Sequence, residues 1–123
     1  MRAIALQHVT VGVHDLDAAV AFYELLGMTV SPDRPAFPFA GAWMQATPTQ
    51  QVHIVVSPER PAPDATTHFA LVVDDLEACL AELSAGGVPD DRVQRLRPVE
   101  GAGTQAFVRD PTGNVIELNQ PSP

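Results

Sequence analysis

The stretch HVTVGVHDLDAAVAFYELLGM, His8 to Met28, returns sixty positions later as HFALVVDDLEACLAELSAGGV, His68 to Val88. Laid over each other, His8 meets His68, Val13 meets Val73, Asp15 meets Asp75, Leu16 meets Leu76, Ala18 meets Ala78, Ala21 meets Ala81 and Gly27 meets Gly87. A chain of 123 residues has room for one core, and a repeat of this length fills most of it. The repeat therefore predicts one domain built from two copies of a small unit, each opening with a histidine.

Each copy begins with period-two alternation, the mark of a strand. Val9, Val11 and Val13 point one way, and His8, Thr10 and Gly12 the other. In the second copy Phe69, Leu71 and Val73 oppose His68, Ala70 and Val72. Each strand leads into a helix. Asp15 and Asp75 are N-cap residues, because a carboxylate accepts from the first free amides. Leu16, Ala19, Val20, Tyr23 and Leu26 form one apolar stripe, and Leu76, Cys79, Leu80 and Leu83 its counterpart. Gly27 and the Gly86–Gly87 pair stop the helices. Strand-like pieces follow around 28–31, 41–46 and 51–57, and again around 92–97, 105–109 and 114–119. DPTG at 110–113 is a tight turn between the last two. The expected organisation is a first module over about 1–57, a proline-rich linker over 58–66 and a second module over about 67–120. The fold class is α+β, with the pattern strand, helix, three strands used twice. Two such modules about a pseudo-twofold axis would share a sheet around a concave cavity.

The closing strands correspond as well. VHIVV at 52–56 and IELNQ at 116–120 place His53 opposite Glu117, each a polar residue between apolar neighbours. The candidate ligands are then His8 and His53 in one half, and His68 and Glu117 in the other. Three imidazoles and a carboxylate suit a divalent transition metal such as Zn, Ni, Co, Mn or Fe. Taken singly, a histidine at a strand start is more often solvated or structural, and a lone Glu usually faces solvent. What favours ligation is that three of the four histidines occupy repeat-related, like-facing positions. The fourth, His14, reads as a surface loop residue.

The charge balance narrows the partners. Net charge is −8 with only seven Lys and Arg, so nucleic acid and an anionic membrane surface are both disfavoured. No stretch approaches a membrane span, and the start reads as lacking a signal peptide. The single cysteine, Cys79, allows no intrachain disulfide, which fits a cytoplasmic location.

These motifs resemble those of the vicinal oxygen chelate superfamily, which includes glyoxalase I, fosfomycin- and bleomycin-resistance proteins and extradiol dioxygenases. HVTVGVHDLDAAVAFYELLGM looks like the first-module signature and HFALVVDDLEACLAELSAGGV like the second. AFVRDPTGNVIEL resembles the closing DPxGxxxE motif. The resemblance covers nearly the whole chain. It implies tandem βαβββ modules forming a curved mixed sheet around a metal-binding cavity, and a homodimer. His8, His68 and Glu117 match the usual His/His/Glu ligands. His53 stands at a fourth position that is commonly Glu or Gln in glyoxalase I, which argues against ordinary glyoxalase I turnover. The chain has no lysine, and no cationic and hydroxyl cluster suited to a phosphonate is evident.

The implied function is a glyoxalase-I-like, metal-dependent isomerase or lyase acting on a small oxygen-chelating substrate. Glu117 is the candidate catalytic base if it leaves the metal. The alternatives are a ligand-sequestering resistance protein and an Fe(II) extradiol-type dioxygenase. By alternation and position, Thr10, Trp43, Gln105 and Phe107 are candidate substrate contacts. Arg34 is a further one, for an anionic group, although a solvated loop arginine is the commoner case.

Overall fold

The structure is a computed structural model that describes residues 1–123. The chain divides into two compact units, Met1–Pro61 and Ala62–Pro123. No helix is long and apolar enough to cross a membrane.

The first unit runs β1 (His8–Val13), α1 (Leu16–Leu25), β2 (Thr29–Val30), β3 (Gly41–Gln45) and β4 (Gln51–Val56). The second runs β5 (His68–Val72), α2 (Leu76–Ala85), a 3-10 turn (Asp90–Arg92), β6 (Val93–Arg95), β7 (Thr104–Arg109) and β8 (Val115–Gln120). Each unit therefore has the expected strand, helix, three-strand order. The strands form two four-stranded sheets, one per unit, rather than a single shared ladder. Their orders are β1-β4-β3-β2 and β5-β8-β7-β6. In each, the first and last strands pair in parallel and the remaining pairs are antiparallel.

The registers repeat as well as the topology. Thr10 lies opposite His53 and Ala70 opposite Glu117. Across the antiparallel pairs, Trp43 faces His53 and Phe107 faces Glu117. The two units differ mainly after the helix, where the 3-10 turn follows Pro89 before β6 begins.

Both helices start as expected. Asp15 Oδ1 accepts from the Ala18 amide at 3.0 Å, and Asp75 Oδ1 from the Ala78 amide at 2.9 Å. Such caps are worth about 1 kcal/mol each. Just beyond the helices Gly27 and Gly87 adopt φ of +88° and +94°, the left-handed stop that side chains resist. The apolar faces differ in detail from the expected stripes. In α1 the buried residues are Ala19, Phe22 and Tyr23, while Leu16 and Val20 sit at the flank. In α2 Leu76, Leu80 and Leu83 are buried and Cys79 is half-exposed. A ten-residue helix covers its sheet with one narrow i, i+3, i+4 face, so flanking positions stay partly open.

Alternation decides what each sheet offers on its two faces. Val11, Val13, Ala42, Met44, Val52 and Ile54 are buried in the first unit. The residues between them along β1, β3 and β4 turn to the other face: His8, Thr10, Trp43, Gln51 and His53. In the second unit Ala106, Val108, Ile116 and Leu118 are buried, and Gln105, Phe107, Glu117 and Asn119 alternate with them. The helix and its core thus occupy one face of each sheet, and the chemistry-bearing side chains share the other.

Candidate metal centre

In the first unit, His53 lies between two rings. Trp43, its cross-strand neighbour, stacks on it with centroids 4.2 Å apart and planes 4° from parallel. His8 stacks on it at 3.9 Å and 13°. Each such pair is worth about 0.5–1.5 kcal/mol beyond its buried area. Burial holds the His53 pKa below the ordinary imidazole value, helped by the neighbouring His8 and by the Arg34 guanidinium. All three act against a second positive charge.

In the second unit, His68 Nδ1 approaches the Ala65 carbonyl at 2.7 Å. A carbonyl only accepts, so Nδ1 carries the proton. The nitrogen left toward the carboxylate is Nε2, 3.4 Å from Glu117 Oε1. Glu117 Oε2 accepts from Gln105 Nε2 at 3.2 Å and from Asn119 Nδ2 at 3.4 Å. Phe107 packs edge-on against His68, with centroids 4.9 Å apart.

The turn before β8 sets the direction of Glu117. Asp110 is fully buried, and its Oδ1 accepts from the amides of Thr112, Gly113 and Asn114 at 2.9–3.0 Å. Its Oδ2 accepts from Asn114 Nδ2 at 2.8 Å. Gly113 takes φ +100°, which a side chain would strain. Arg109 Nη1 donates to the Gly113 carbonyl at 2.8 Å. The DPTGN segment is thus a structural anchor that launches β8 in its register.

Each expected metal ligand that is an imidazole has one ring nitrogen on an oxygen. His8 Nδ1 lies 3.0 Å from Gln7 Oε1, His68 Nδ1 lies on Ala65 O, and His53 Nε2 lies 2.8 Å from Gln51 Oε1. Metal-binding histidines ordinarily show this arrangement, because the second nitrogen's hydrogen bond fixes the tautomer and orients the ligating one. Three imidazoles and one carboxylate are donor types that fit a divalent transition metal. The structure sets His68 beside Glu117 and stacks His8 face to face on His53, so one of those two rings must turn before both in-plane lone pairs could meet at one metal. The chain gathers no group of three or more metal-competent His, Cys, Asp or Glu side chains.

The candidate substrate contacts fall out differently. Trp43 and Phe107 occupy matching register positions beside the candidate ligands. Gln105 holds Glu117 through its amide. Thr10 is exposed on the His8 face of β1. Arg34 donates to the Phe39 carbonyl at 2.8 Å and lies 5.2 and 5.3 Å over the Phe37 and Phe39 rings, so it organises its own loop. Sequence reasoning missed Asn119 and Gln45. Asn119 was within reach of the period-two rule, standing two residues from Glu117 on the same face. A cavity of about 480 Å³ lies elsewhere in the second unit, beside α2 and β6, and is lined by none of these residues.

Comparison with known proteins places this geometry in context. Residues 5–118 match the family model described as the Glyoxalase/Bleomycin resistance protein/Dioxygenase superfamily. The uncharacterized protein PA2024 of Pseudomonas aeruginosa is 35% identical, over 96% of this chain and 89% of its own length. Among solved structures, TnmS3, an antibiotic binding protein from Streptomyces sp. CB03234, is 30% identical with a TM-score of 0.75, covering 99% of both chains. The glyoxalase I of Leishmania major is 25% identical with a TM-score of 0.69, covering 96% of this chain and 87% of that one.

Proposed function

We propose a metal-dependent enzymatic function for this chain, which belongs to the Glyoxalase/Bleomycin resistance protein/Dioxygenase superfamily. His8 and His53 of one unit, with His68 and Glu117 of another, hold a single divalent metal, the two units coming from one chain or from two copies in a homodimer. The reaction class is isomerase or lyase chemistry on a small substrate that offers two oxygens. A metal so held supplies Lewis-acid stabilisation to negative charge developing on the chelated substrate.

The observation that carries this reading is the pairing of His68 with Glu117. With the His68 proton on Nδ1, an imidazole lone pair faces a carboxylate oxygen at 3.4 Å. Two acceptors face each other stably only with a cation between or on them, and a divalent metal meets that need as a proton does. Gln105 and Asn119 hold the far oxygen of Glu117, which leaves the near one for the ligand. Glu117 is also the candidate base, and the same amides would steady it if it released the metal to take a substrate proton.

A second reading, sequestration of a flat aromatic compound, is favoured by the Trp43–His53–His8 stack. It also draws on the likeness to TnmS3. The two readings separate by titration. The enzymatic reading expects protein purified without added metal to bind Zn²⁺, Ni²⁺ or Co²⁺, and His68→Ala to lose most of that affinity while staying folded. Imidazole must be neutral to ligate, so affinity should fall as pH drops below roughly 6. Equal metal binding by wild type and His68→Ala, or affinity flat from about pH 8 to 5, would remove the histidine site.

A further inference from the structure

Four groups along β3 and β4 form a hydrogen-bonded chain with a single allowed direction. Gln45 Nε2 donates to the Thr47 carbonyl at 2.7 Å and approaches the Gln50 carbonyl at 3.4 Å. Backbone carbonyls only accept, so the Gln45 side-chain NH₂ must point at them. That turns Gln45 Oε1 toward Gln51, whose Nε2 donates to it at 2.7 Å. Gln51 Oε1 is then left facing His53 Nε2 at 2.8 Å, and His53 must supply the proton. The direction set by a backbone carbonyl in the β3–β4 loop is thereby transmitted through two amides to one ring nitrogen.

From this we infer that Gln51, backed by Gln45, is a positioning residue that fixes His53 as the Nε2–H tautomer and makes Nδ1 its ligating nitrogen. The inference rests on the metal-binding reading above. It sets His53 apart from His68, whose Nδ1 carries the proton and whose Nε2 is left for the metal.

The second unit shows that the relay is matched to a histidine. The pair equivalent in register to Gln45 and Gln51 is Arg109 and Val115, which form no relay. Glu117 there only accepts, and its neighbours Gln105 and Asn119 are donors. His53 must donate through one nitrogen to ligate through the other, and its neighbour Gln51 presents an acceptor. Each half thus surrounds its central residue with the complementary hydrogen-bonding group.

Long-range ¹H–¹⁵N NMR of the imidazoles tests this on the whole chain without any activity measurement. Metal-free wild type should show His53 with a protonated Nε2 and an unprotonated Nδ1. Zinc should then shift Nδ1 of His53 and Nε2 of His68. Gln51→Leu should let the His53 tautomers average and weaken zinc binding by about 10–100-fold. Gln51→Glu keeps an acceptor toward His53 and should restore the fixed tautomer, at a cost in stability because its other oxygen opposes Gln45 Oε1. Backbone amide resonances of β1 and α1 unchanged in the metal-free variants show that the first unit is intact. A wild-type His53 protonated on Nδ1, or a Gln51→Leu variant with an unaltered tautomer, overturns the relay. A fixed Nε2–H tautomer with no histidine responding to zinc overturns the metal reading and the ligand assignment instead.

Discussion

Trp43 and His53 lie on adjacent antiparallel strands with ring centroids 4.2 Å apart and planes within 4° of parallel. Trp43 is the only tryptophan in the chain. Its emission therefore reports on the surroundings of the His53 ring. Zinc added to wild type should change the Trp43 emission and saturate at the same concentration as calorimetric binding. His68→Ala should abolish the change. Emission that ignores saturating zinc would disconnect His53 from the metal.

The buried carboxylate of Asp110 accepts three backbone amides and one side-chain amide. Removing it takes that acceptor from the buried Asn114 and from the half-exposed Thr112 and Gly113. Asp110→Ala should cost about 3 kcal/mol or more of stability, the scale of losing several hydrogen bonds to one buried carboxylate. Urea unfolding would measure it. Metal affinity should fall as well, because the turn launches the strand that carries Glu117. A loss under about 0.5 kcal/mol would make the turn ornamental.

Much of this was legible in the sequence because it is periodic. Strand alternation and the sixty-residue repeat pointed to the helix caps Asp15 and Asp75, the succession of strand, helix and three strands in each unit, and the like-facing pairs His8/His53 and His68/Glu117. What escaped was set by direction rather than period. Nothing in the string PTQQVHIV says which way the amide of Gln51 turns, because that depends on a Thr47 carbonyl reached through Gln45 on another strand. Arg34 escaped for a similar reason. A loop arginine can face a substrate or its own loop, and here the two phenylalanine rings hold it on the loop. Phe22 entered the α1 face in place of Val20 because a short helix buries a narrower stripe than its apolar residues suggest.

The ligand set also predicts what the chain should not do. Three imidazoles and one carboxylate leave a divalent metal with net charge +1, where a second carboxylate would neutralise it. The extra charge favours anionic chelating substrates and removes one candidate base. Fully metallated wild type should therefore show little or no turnover of the methylglyoxal–glutathione hemithioacetal. His53→Glu supplies the missing carboxylate, but it opposes Gln51 Oε1 unless the amide relay reverses. Reversal leaves the Gln45 carbonyl against that of Thr47, at about 1–3 kcal/mol. The variant should thus be less stable than wild type while gaining some glyoxalase activity if its pocket admits the adduct. Strong wild-type turnover in a standard assay would refute the charge argument.

Gln105 offers a gentler perturbation of the carboxylate. Gln105→Leu removes the amide that holds Glu117 Oε2 at 3.2 Å while keeping Glu117 itself. Metal affinity should drop about 10–100-fold, as for other groups that orient a ligand from behind. Calorimetry with zinc checks this, and an unchanged affinity would mean that Asn119 suffices.

The central claim is that one divalent metal is held by His8, His53, His68 and Glu117. Crystals grown with zinc, with diffraction collected on both sides of the zinc absorption edge, test it most directly. The account predicts one strong anomalous peak per site, about 2.0–2.2 Å from His53 Nδ1, from His68 Nε2, from a nitrogen of His8 and from a Glu117 oxygen. A peak on other residues, or zinc absent from these four at saturating concentration, would contradict it.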